Sequence, residues 1–229
     1  MDKKTPAVLH TLLMITLLLL AACSSTDTLE FNEDDAIADR LFRVTNAQVA
    51  LAYVDPDAEF GRYNKVMLDP LDTRNTVIRQ PSRTGSVTGN KPFELNEQNR
   101  DSLAEAYRAA FIKELSETGD YEVVDAPGPD VLRVVSTLNE IAPLASKDDN
   151  RSRPVGRSRV YTEGAGAMAI TFAFADSETS EVLAIVKDQR QGSPTWGPNN
   201  AVSNMSDVRM IFSRWARMLR ARLDILHGY

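Results

Sequence analysis

Hydrophobic positions along this chain form one dense run near the front and several periodic groups behind it. The run, residues 7–22, is centred on Leu17-Leu-Leu-Leu20 and interrupted only by His10, Thr11 and Thr16. It is short for a bilayer span, which needs roughly 20 apolar residues. Lys3 and Lys4 precede it, and Asp27, Glu30 and Glu33 follow it, the charge order of an export signal. Residues 24–39 are polar and acidic and read as a tether. Residues 96–118 then repeat apolar side chains at helical spacing (Leu103, Ala106, Tyr107, Ala110, Phe111, Leu115) behind a capping Asn96, and Gly119 is a natural stop. Residues 204–226 do the same with Val208, Ile211, Phe212, Trp215, Leu219, Leu223 and Leu226. Strands are expected at 63–71, 121–124, 131–141, 160–176 and 181–187. The segment 160–176 is apolar on both faces, which predicts a central strand covered on both sides. Two long polar stretches, 72–94 and 146–159, interrupt the pattern. The order of elements predicts an α+β domain: a mostly antiparallel sheet of about four to five strands covered by two long helices.

At the end of the apolar run, Leu20-Ala21-Ala22-Cys23 resembles the lipobox of bacterial lipoproteins. The resemblance implies cleavage between Ala22 and Cys23 and acylation of Cys23, palmitate included, on its sulfur and its new amine. Several acyl chains on one residue make attachment effectively permanent, where a single chain is reversible. Ser24 follows in place of the aspartate that retains such proteins in the inner membrane, so the expected address is the periplasmic face of the outer membrane. The alternative is an ordinary signal peptide ending near Ala22 and a free thiol. The expected division is a signal peptide at 1–22, a lipidated N-terminus and tether at 23–45, and one periplasmic domain at 46–229.

Composition narrows the chemistry. The 229-residue chain carries a formal net charge of −6, which argues against nucleic-acid binding, since that needs a basic field. Cys23 is the sole cysteine, so no intramolecular disulfide forms. With His10 removed in the leader, His227 near the C-terminus is the remaining histidine. Serine–histidine and cysteine–histidine catalysis and histidine-rich metal sites are thereby disfavoured, and no cofactor or metal is expected. Carboxylate pairs such as Asp176/Glu178 or Asp148/Asp149 have the composition a glycosidase needs, but turn residues are the simpler account. Gly164-Ala-Gly166-Ala-Met-Ala169 fits a dinucleotide fingerprint in letters only, because it opens a strand and not a helix.

The segments Tyr53-Val-Asp-Pro-Asp57, Tyr63-Asn-Lys-Val-Met-Leu-Asp-Pro70, Pro127-Gly-Pro-Asp-Val-Leu-Arg133, Asp176-Ser-Glu-Thr179, Trp196-Gly197, Trp215-Ala216 and Leu223-Asp224 resemble a family of uncharacterised proteobacterial lipoproteins, a domain of unknown function. That family carries no established activity, so the resemblance implies no catalytic residue. Ser180 stands where the family's turn has glycine, which places a side chain on a tight backbone. The order of elements is also similar to that of small α+β domains in several envelope-assembly lipoproteins.

Binding candidates remain. Trp196 lies between Pro194 and Pro198, where an exposed aromatic could anchor a partner or pack as a lid over the sheet edge. Arg151, Arg153 and Arg157 make a basic stretch, and Arg209–Arg222 of the last helix either binds acidic groups or pairs with nearby carboxylates. The expected protein is therefore a non-catalytic lipoprotein, membrane-bound through lipid on Cys23. It would bind another envelope component, a protein or peptidoglycan, in assembly or maintenance. Two alternatives stand beside it: a carboxylate-dependent cell-wall hydrolase, and a subunit of an oligomeric secretion or transport complex.

Overall fold

The computed structural model describes residues 29–81, 92–117, 119–143, 161–163, 166–193, 196–198 and 201–228. In chain order these form β1 (Phe31–Ile37), β2 (Leu41–Val44), β3 (Leu51–Val54), a 3-10 turn at Phe60–Arg62, β4 (Lys65–Leu68), β5 (Val77–Ile78) and α1 (Glu97–Ile112). A wide π turn at Lys113–Glu117 follows, then β6 (Glu122–Val124), β7 (Val131–Pro143), β8 (Tyr161–Glu163), β9 (Gly166–Asp176), β10 (Val182–Gln191), β11 (Trp196–Pro198) and α2 (Ala201–His227).

One nine-stranded sheet runs β1-β2-β3-β10-β9-β7-β4-β6, with β5 also paired to β7, while β8 and β11 form a separate ribbon. The mixed α+β class and the two helices agree with expectation. The sheet is about twice as wide as the four to five strands predicted, and it is not antiparallel throughout. Pairing is antiparallel from β1 to β7, but β4, β5 and β6 join as a parallel wing. The segment 23–45, expected as tether, contains β1 and β2, so the sheet begins well before residue 46.

The helices form where the sequence places apolar stripes. Asn96 caps α1, its Oδ1 accepting from the Asn99 amide at 2.8 Å, and satisfies one of the amides a helix start leaves open. α1 and α2 lie on one face of the sheet, around an aromatic cluster. The Phe111 ring sits 4.6 Å from Tyr107 and 5.9 Å from Phe172, and Trp215 meets Phe172 edge-on at 6.1 Å. Tyr107 and Ser136, both buried, satisfy each other through a 2.8 Å hydroxyl hydrogen bond. Strand β9 is central, between β7 and β10. Its Met168, Ile170, Phe172 and Phe174 are buried against the helices, whereas Ala167, Ala169, Thr171 and Ala173 on the opposite face stay half-exposed. Among the described residues the helices thus cover one face, not two.

At the β9–β10 turn Ser180 adopts φ 61°, the left-handed region that favours glycine. Replacing it with glycine removes that strain but adds unfolded-state freedom. Ser180→Gly is expected to stabilise the fold by about 0.5–1 kcal/mol, read as a rise of about 1–3 °C in the thermal midpoint.

Candidate functional site: a polar clasp and an apolar groove

Four of the segments noted in the sequence meet at one corner of the sheet. The Asp176 carboxylate, 3% exposed, closes its own turn by accepting from the amides of Glu178 and Thr179 at 3.0 and 2.9 Å and from Thr179 Oγ1 at 3.1 Å. It also accepts from the Tyr63 hydroxyl at 3.0 Å and from the Arg62 guanidinium. Those donors, the Thr179 backbone foremost, hold its pKa down to about 2. Burial, reinforced by the bond to Asp176, pushes the Tyr63 phenol up to about 12. Next to it Ser177 Oγ donates to the Gly128 carbonyl at 2.9 Å and accepts from the Gly128 amide at 3.0 Å, pinning the 127–130 turn. Arg40 adds a fork to Asp55 at 2.8 Å and to Glu181.

Chemically, this corner is a clasp. A glycosidase acid must hold its proton near neutral pH, with a raised pKa; Asp176 has the reverse environment, and its oxygens already take five donors. The clasp ties the ends of β4, β7 and β9 together.

The second feature is apolar. A groove of about 350 Å³ runs between the C-terminal half of α2 and the inner face of β2, β3 and β10. Among the described residues α1 and α2 cover only part of the nine-stranded sheet, and beyond α2 the inward side chains of the first strands meet no third helix. Val44, Ala52, Val54 and Val186 form one wall, Met218, Leu219 and Leu223 the other, and Phe172, Phe174 and Trp215 reach its floor from the core. Among the lining groups Asp188 is a buried carboxylate with both oxygens engaged. Its Oδ2 accepts from Trp215 Nε1 at 2.9 Å and Arg190 Nε at 2.6 Å, and its Oδ1 from the Ala50 amide at 3.4 Å. Ile225 and Leu226 at the rim are 50% and 39% exposed. Leu29, the first described residue, also lines the groove, and the chain is fixed there by Glu30, whose amide donates to Asn46 Oδ1 at 3.1 Å. The volume lies in the range of small-ligand sites, which are mostly apolar with few polar groups.

Of the residues singled out from sequence, Ala22, Cys23, Arg151, Arg153 and Arg157 lie outside the described residues, as do Asp148 and Asp149. Trp196 belongs by its backbone to β11, paired with Glu163 and not in a loop; its side chain lies outside the description. Two of the α2 arginines, Arg217 and Arg220, follow the paired reading. Arg217 and Arg220 approach Glu114 at 3.6 and 3.7 Å, Arg220 also nears Asp224 at 3.7 Å, and Arg214 donates to the Gln191 carbonyl. Among the described residues no group of three or more histidine, cysteine, aspartate or glutamate side chains is placed to hold a metal. No described helix is long and apolar enough to cross a membrane. Sequence reading missed the groove. The available signal was the breadth of the α2 stripe, which Met218 and Ile225 widen beyond what one sheet contact needs.

A family model described as a protein of unknown function (DUF3313) matches residues 36–219. The chain belongs to this family. The DUF3313 match starts inside β1 and ends inside α2, so it takes in the clasp and most of the groove. No curated protein matches the chain. Solved structures similar to it include protein XCC0632 of Xanthomonas campestris (10% identity, 71% of this chain and 85% of that one, TM-score 0.40). The hypothetical protein CT253 of Chlamydia trachomatis is another (12% identity, 73% and 99%, TM-score 0.40). The PelC dodecamer of Paraburkholderia phytofirmans is a third (11% identity, 69% and 89%, TM-score 0.36). With TM-scores below 0.5, none of these likenesses carries an argument about this DUF3313 chain.

Proposed function

We propose that this chain is a non-catalytic lipoprotein, held by lipid on Cys23 at the periplasmic face of the outer membrane, which binds another envelope component through the groove and its rim. One observation carries the binding reading: an apolar groove of about 350 Å³, with Ile225 and Leu226 exposed at its edge, opens beside Leu29, the first described residue. Solvent-exposed apolar surface gathered around a concavity is where partners and ligands bind. Its position six residues after Cys23 puts it within reach of a membrane on which that residue is anchored.

The anchor is tested first. Cys23→Ala is expected to leave residues 1–22 attached and to abolish fatty-acid incorporation, read by intact mass and by acyl labelling in cells. Labelling that persists in the variant would remove the lipobox reading. The binding role is tested by a photo-crosslinking amino acid placed at Ile225, with Gln189 on the exposed side of β10 as control. A discrete envelope product is expected from position 225 and none from 189. Equal labelling at both positions would count against the groove. Soluble fragments released from peptidoglycan sacculi by the intact protein, and lost on Asp176→Asn, would replace this reading with the hydrolase.

A further inference from the structure

A channel walled by aliphatic side chains is a poor container for water, because each enclosed molecule wants two to four polar partners. Val54, Val186, Leu219 and Leu223 offer none with their side chains, the Met218 sulfur already accepts from Arg190, and Asp188 is engaged by Trp215 and Arg190. An occupant made of methylene groups removes that water and suits a lining whose polar side chains beside Asp188 are Asn46, Gln48 and Arg222.

The chain itself delivers such an occupant to the mouth. Leu29 lines the groove, and the backbone there is fixed by the Glu30 amide on Asn46 Oδ1 and by the Thr45 amide on the Glu30 carbonyl at 2.8 Å. Cys23 lies six residues upstream, and six residues extend at most about 20 Å. A group attached there is held at an effective concentration in the millimolar range next to the opening.

We propose that one acyl chain carried on Cys23 occupies this groove whenever the protein is out of the bilayer. The inference rests on the lipid anchor of the reading above and names an occupant for the same site. A bilayer surrounds the chain with equally apolar matter, so insertion withdraws it and opens the groove to the envelope component. Partner binding is then tied to anchoring, since the two occupants use one space in turn. A loose phospholipid or the acyl chain of a second copy has the same chemistry, but neither is tethered at the mouth.

The test grows cells on a fatty acid bearing a terminal diazirine, purifies the full lipidated chain, dilutes it below the micelle threshold of its detergent and irradiates it. Mass spectrometry then locates the adducts. Intramolecular adducts on Met218, Leu219 or Val186 are expected. They should be lost in Ala221→Trp, whose ring enters the groove from an exposed position on α2. Ile225→Glu, a rim change at an equally exposed site, supplies the same comparison should the tryptophan variant fail to fold. Adducts on a neighbouring copy, or none in the groove while Cys23 is acylated, overturn the inference and leave the anchor standing. So does undiminished groove labelling of the unlabelled lipoprotein by an added diazirine phospholipid. Cys23 recovered without any acyl chain overturns the anchor and this inference together.

Discussion

Phe111→Ala is expected to lower the unfolding free energy by about 3–5 kcal/mol, the range for deleting a buried aromatic ring. Phe111 is fully buried at the junction of α1 with the sheet, against Tyr107 and Phe172. The loss has two parts: the ring's transfer from water, and the cavity left where the surroundings cannot close. Collapse is resisted here, because α1 is fixed at its start by the Asn96 cap and in its middle by the Tyr107–Ser136 bond. Phe111 also reaches the floor of the groove, so its removal opens the core toward that space. Against a total stability of 5–15 kcal/mol for a typical domain, this is at least about a fifth. Urea unfolding followed by circular dichroism measures it, with a lower midpoint and an unchanged slope expected. A loss below about 1 kcal/mol would mean that the aromatic cluster is not the centre of the fold.

Elements whose burial is one-sided and local were readable in the sequence. α1 and α2 each carry a stripe at helical spacing, and β7 and β10 show their apolar alternation within single segments. The missing strands fail that test for separate reasons. β1 reads Phe-Asn-Glu-Asp-Asp-Ala-Ile, an acidic edge with a register shift between Asn32 and Ala36; charge is how an edge strand is kept from pairing further, and it also makes the strand look like a tether. β5 is two residues long and exists through its pairing with Glu140 and Ile141. The parallel wing was invisible because period-two alternation says nothing about strand direction. In β9 both faces are apolar, but the alanine side is small and only half-covered, so apolarity there was a poor measure of burial.

The groove was harder still. Its walls come from residues 44–54, 172–188 and 215–226, which no local window brings together. It is defined by what, among the described residues, does not cover β2 and β3, and a sequence pattern records contacts better than gaps. The clasp was half legible. Asp176-Ser-Glu-Thr-Ser180 reads as a turn, and Ser180 announces a constrained backbone that the φ of 61° shows directly. That Arg62 and Tyr63 would reach the same carboxylate from more than a hundred residues away was not written in either segment.

That carboxylate supports the second large prediction. Asp176→Asn is expected to cost about 2–3 kcal/mol at neutral pH, the range for hydrogen bonds to a buried charged group. The amide keeps one acceptor but presents a donor toward donors: the Tyr63 hydroxyl, the Arg62 guanidinium and the turn amides all already give their protons. The cost must also depend on pH with a fixed sign. The folded pKa is about 2 against an ordinary 3.8, so the folded state favours the ionised form. The stabilisation, on the order of 2 kcal/mol, is present in full above about pH 4 and disappears as the pH falls through the folded pKa near 2. Asparagine does not titrate, so the gap between the wild type and Asp176→Asn should shrink between pH 4 and pH 2 and stay constant from pH 5 to pH 8. Urea midpoints measured across that range decide it. A gap that is flat down to pH 2 would mean the clasp does not hold its carboxylate ionised, and Asp176 would lose its place as the tie between β4, β7 and β9.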